Sequence, residues 1–181
     1  SSFGVGGGIK VSAGGSSTIS TGGAVNLVSG EGTATSSGDV KILTSNAGLS
    51  GASGDITLKT GNSQNAKTGD VLFKSGSSTT GSAGKISINV GESGLGVGGD
   101  LNLIAGSSEE QTGGSILLSS GSSALGASGS VTIRSESSIS EGSSGAVVLS
   151  SGFSKLGNSG ALLVTTGNSA TSAAGDAVFA I

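Results

Sequence analysis

Gly69-Asp70-Val71-Leu72-Phe73-Lys74-Ser75-Gly76 sets two apolar residues, Val71 and Phe73, two positions apart between glycines, and variants of it recur from one end of the chain to the other. The same frame opens at Gly7, Gly23, Gly38, Gly54, Gly69 and Gly84, and again at Gly99, Gly114, Gly129, Gly145, Gly160 and Gly175, a period of 15 or 16 residues. Twelve repeats therefore fill residues 1–181 as a single repeat domain, and the last stops at Ile181, which suggests a piece of a longer array.

Two columns of the repeat are apolar throughout. The first runs through Ile9, Val25, Val40, Ile56, Val71, Ile86, Leu101, Ile116, Val131, Val147, Leu162 and Ala177; the second lies two residues on, from Val11 and Leu27 to Val164 and Phe179. A spacing of two places both columns on one side of a β-strand, and β-branched residues suit a pleated surface. The expected fold is all-β: a parallel β-solenoid, or β-helix, of about twelve repeats with one main strand each. Fifteen residues trace only about 50 Å when fully extended, so the coil would be flattened around a thin core. That core is expected at Val40, Ile42, Ile56, Leu58, Val71, Phe73, Leu101, Leu103, Val131 and Ile133. Stacked about 4.8 Å apart, the strands would make a rod of roughly 50–55 Å. The period of two and the frequent glycines exclude a helical solenoid.

Glycine and serine fill the rest of the frame. A glycine such as Gly61, Gly76 or Gly121 usually follows the strand, where a positive φ would turn a corner. A serine column through Ser16, Ser63, Ser78, Ser93, Ser108, Ser123, Ser138, Ser154 and Ser169 is expected to line the opposite wall with hydroxyls bonded from turn to turn.

With 37 glycines, no proline and 2% aromatic residues the chain cannot build an ordinary globular core. A net charge of −3 with 10% charged residues offers no basic footprint for nucleic acid or for a membrane surface. No apolar run is long enough for a transmembrane span. The lack of cysteine removes disulfides and thiolate sites, and none of the Asn residues lies in a glycosylation sequon. The lack of His, Cys, Tyr and Trp leaves no nucleophilic dyad, imidazole metal site or indole or phenol platform, so no enzyme activity and no cofactor are expected.

An aspartate column, Asp39, Asp55, Asp70, Asp100 and Asp176, could bind Ca²⁺ if stacked. The Gly-Gly-x-Gly-x-Asp loop of calcium-binding β-rolls is missing, however, and Lys85 stands in that column between Asp70 and Asp100 as if to pair with both. Surface ion pairs, with Lys41, Lys59 and Lys74 balancing the other aspartates, are the expected role, and no metal site is assigned. Outward strand positions change along the chain from Lys10, Lys41, Lys59 and Lys74 to a possible contact stripe at Ile104, Leu117, Val148, Leu163 and Val178. Ice binding by a flat solenoid face is an alternative, disfavoured because outward pairs such as Thr57 and Lys59 or Thr132 and Arg134 form no regular threonine rank.

Gly38-Asp39-Val40-Lys41-Ile42, the 69–76 segment and Gly129-Ser130-Val131-Thr132-Ile133 resemble the Ser/Gly-rich tandem repeats of secreted or cell-surface proteins of diatoms and related algae. That resemblance covers nearly the whole chain and implies an extracellular structural role. The leading expectation is a non-enzymatic structural module, a stiff solenoid rod of a surface, matrix or filament protein. Its partner would be itself, end to end or side by side, or other matrix proteins. Ice binding follows, and a calcium-dependent adhesive module is third.

Overall fold

A computed structural model describes residues 4–17 and 19–180; Ser1, Ser2, Phe3, Thr18 and Ile181 lie outside the described residues. Among the described residues there is neither a helix nor a β-strand. The expected all-β architecture, a parallel β-solenoid or β-helix, is therefore overturned. What survives of the repeat is a three-residue bend in nine periods, at 33–35, 64–66 and 79–81 in the first half and at 94–96, 109–111, 124–126, 140–142, 155–157 and 170–172 in the second, with a turn at 49–50 in the period that opens at Gly38. The chain divides into two units, Ser1–Asn89 and Val90–Ile181.

Within each unit the repeat closes on itself. In the first, the amide of Gly23 donates to the carbonyl of Gly14 at 2.9 Å and that of Gly38 to Gly30 at 3.0 Å. In the second, Gly114 donates to Gly106 at 2.8 Å and Gly129 to Gly121 at 2.9 Å. At several repeats without this bond the approach persists: a Cβ built on Gly69 would lie 3.4 Å from Thr60 Cγ2, and one on Gly160 would lie 3.8 Å from Ser151 Cβ, whereas one on Gly175 would meet nothing within 4 Å. Most repeats are thus short Ω-like loops whose ends meet around a bend.

This closure explains why the period-2 pattern yields no sheet. A strand is stable only beside another, and parallel neighbours need a crossover that returns the chain to the same level one spacing away. Here most close approaches join residues fewer than twelve positions apart, so the apolar segment of one repeat is not laid along that of the next. Glycine adds to the difficulty, since it loses more backbone freedom than any other residue when fixed in a strand and supplies no side chain to pack.

No core forms. At 16.7 kDa a folded chain would expose about 7,600 Å² and an unfolded one about 24,000 Å²; this chain exposes 18200 Å² and has no buried hydrophobic residue among those described. Val40, Ile42, Ile56, Leu58, Val71, Phe73, Leu101, Leu103, Val131 and Ile133, expected inside, are all exposed. No described glycine has a positive φ, so the corners are not made by left-handed glycines either. Glycine serves close approach instead. At Gly32 a Cβ would meet the backbone of Thr35 and Ser36, 2.7 Å from the Thr35 carbonyl oxygen.

Candidate interaction surface

The turns are the best-defined local structure. Ser78 Oγ accepts a hydrogen bond from the amide of Gly81 at 2.9 Å, and Ser63 one from Ala66 at 3.1 Å. In the second unit Ser93, Ser108, Ser123, Ser154 and Ser169 each accept from the amide three residues on, at 2.9–3.1 Å. These seven serines of the column therefore cap the turn of their own repeat, whereas Ser138, before the bend at 140–142, makes no such bond. The expected ladder from turn to turn is replaced by a bond that a hydroxyl makes to nearby backbone. The spacing Ser-x-x-Gly at Ser78, Ser93, Ser123 and Ser154 was the legible signal for it. At 47–51 the column holds Ala47, and the turn is closed by the Gly51 amide on the Gly48 carbonyl at 3.4 Å.

Charged groups pair only with near neighbours. Lys41 Nζ lies 2.9 Å from Asp39 Oδ2, as the lysine and aspartate positions led one to expect. Asp70 pairs at 3.0 Å with Lys67, not with Lys85, and Arg134 pairs with Glu136 at 2.8 Å. The Lys67 and Glu136 partnerships escaped the column analysis, though opposite charges three and two residues apart would have indicated them. Lys85 could bridge Asp70 and Asp100 only if successive repeats stacked, and they do not. For the same reason the aspartate column does not gather: among the described residues no three carboxylates form a group able to hold a cation.

The apolar residues carry the clearest periodic signal. From Val25 to Leu162 the first column is 49–61% exposed. The stripe Ile104, Leu117, Val148, Leu163 and Val178 is 79–88% exposed, and the turn leucines Leu49, Leu95, Leu125 and Leu156 are 96–110% exposed. From Val25 to Leu162 the first column is thus half-shielded, while Ile9, the stripe and the turn leucines stand bare. The first unit also presents aliphatics outward, at Val28, Leu43 and Leu72, but interleaved with Lys10, Lys41, Lys59 and Lys74.

Among the described residues there is no cavity and no helix long and apolar enough to cross a membrane. No protein-family model matches the chain, and no curated protein and no solved structure is similar to it.

Proposed function

We propose that this chain is a non-enzymatic, repetitive structural segment that works by associating with further copies of itself, as part of a surface, matrix or filament protein. The observation that carries the proposal is the pair of apolar columns running through the repeats, the first about half exposed from Val25 to Leu162 and the second more exposed still. Net charge far from zero keeps chains apart in solution. This one has a mean hydropathy of +0.22 and a net charge of −3, so little repulsion opposes the burial of its columns. Completing the burial of one half-exposed aliphatic side chain is worth roughly 1 kcal/mol. A repeat offers two such residues at fixed positions, and every copy presents the same ones. The extracellular setting rests on the resemblance to algal surface repeats.

Sedimentation velocity and light scattering over a wide concentration range test this function, with negative-stain electron microscopy of the products. The expected result is a mass that grows with concentration and particles of repeating texture. A monomer at every concentration would remove self-association as the function.

A further inference from the structure

The two units carry opposite charge. Unit Ser1–Asn89 has six lysines against Glu31, Asp39, Asp55 and Asp70, a balance of +2; unit Val90–Ile181 has Arg134 and Lys155 against seven acids, a balance of −5. Internal ion pairs do not erase the difference. Lys41, Lys67 and Arg134 are taken up by Asp39, Asp70 and Glu136. That leaves Lys10, Lys59, Lys74 and Lys85 against Glu31 and Asp55 in the first unit, and Glu92, Asp100, Glu109, Glu110, Glu141 and Asp176 against Lys155 in the second. The two sets also occupy different parts of the repeat. Lys59 and Lys74 stand in equivalent places on successive apolar segments, whereas Glu109, Glu110 and Glu141 lie in the bends at 109–111 and 140–142.

We propose that the association is head to tail: the lysine-bearing unit of one copy docks on the acidic, aliphatic-striped unit of the next. This rests on the self-association proposed above and adds its polarity. Like units meeting would set lysine against lysine, or acid against acid, over an apolar contact; unlike units set complementary charge around the same contact. A pairing of two different patches is heterologous, so it extends into open chains unless its rotation closes the copies into a ring.

Two full-length variants test it. In one, Lys10→Glu, Lys59→Glu, Lys74→Glu and Lys85→Glu make both units negative; in the other, Glu92→Lys, Glu109→Lys, Glu110→Lys and Glu141→Lys make both positive. Light scattering is expected to show each variant alone beginning to assemble only at about tenfold or more the wild-type concentration. An equimolar mixture is expected to return to within about threefold of wild type, because every contact can then join unlike charges. Wild-type assembly is also expected to weaken between about 0.05 M and about 1 M salt, as the screening length falls to about 3 Å. Purely apolar association would hold or strengthen. Wild-type assembly indifferent to salt, or a mixture no better than its components, overturns the head-to-tail pairing while leaving self-association standing. A wild-type chain that stays monomeric throughout overturns both.

Discussion

The two units share one repeat and differ in what they hang on it. Six repeats open in each, and both units turn on serine-capped bends and half-shield the first apolar column. Yet the positions between and just after the columns hold Lys10, Lys41, Lys59 and Lys74 in the first unit, and Ile104, Leu117, Val148, Leu163 and Val178 in the second. The elements that form the loop are therefore separable from the face it displays. A serine hydroxyl and a closely packed glycine act within a few residues, so they tolerate any outward side chain.

If the outward face governs association, the largest effect should come from the second unit's stripe. Replacing Ile104, Leu117, Val148, Leu163 and Val178 together by serine keeps the charge and removes most of the apolar area. Were only two of the five covered in the assembly, at about 1.5 kcal/mol each, the onset of association should rise roughly a hundredfold. Light scattering reads it directly. The matching change in the first unit, Lys59→Leu with Lys74→Leu, should not compensate, because it removes the charge that complements the second unit.

The columns should behave alike in both units, which would sharpen the contrast. Val71→Ser with Phe73→Ser and Val131→Ser with Ile133→Ser each take two half-shielded side chains out of the repeat. Both pairs are expected to raise the onset of association by about tenfold, at roughly 1 kcal/mol per side chain less the part already shielded. A large effect in one unit alone would mean that only that unit's columns become covered.

The period and the two columns were legible in the sequence; the corners were expected at glycines such as Gly61, Gly76 and Gly121, whereas the bends lie three to five residues on, at 64–66, 79–81 and 124–126. Ser78 and Gly81, or Ser123 and Gly126, carry their own geometry wherever the chain goes. Strand pairing was not legible. The alternation at Val71, Leu72 and Phe73 says which residues share a side, but not whether another segment lies opposite them. A fifteen-residue coil with glycine at each corner has almost no interior to reward the return path. The assignment of Lys85 to Asp70 and Asp100 failed with it, since it assumed stacking, whereas Lys67 to Asp70 and Arg134 to Glu136 formed because short loops bring only near neighbours together. The contact stripe could be named from the sequence, but its exposure relative to the columns needed the loop geometry.

The turns should give smaller and unit-independent effects. Ser78→Ala and Ser123→Ala each remove one exposed acceptor at a conserved place in the repeat frame, leaving the amide of Gly81 or Gly126 to water. Amide exchange at those glycines is expected to quicken by roughly two- to fivefold, the equivalent of about 0.5–1 kcal/mol. Gly32→Ala should disturb its loop more than either, because the new Cβ meets backbone that has no rotamer to yield. Unequal effects of the two serine changes would mean that the units differ in their loops as well as in their faces.

The smallest effects should come from the local ion pairs, and their signs are more informative than their size. Lys67 and Arg134 both make exposed pairs, with side chains 79% and 71% open to solvent, so neither pair adds more than a few tenths of a kcal/mol to its turn. Their charges act in opposite directions on association. Lys67→Ala lowers the positive balance of the first unit, while Arg134→Ala makes the second unit more negative. Head-to-tail docking therefore expects the first change to raise the onset concentration and the second to lower it, each by less than about twofold. Shifts of the same sign would mean that these pairs matter through the turns they brace, because loosening a loop has no reason to distinguish a basic unit from an acidic one.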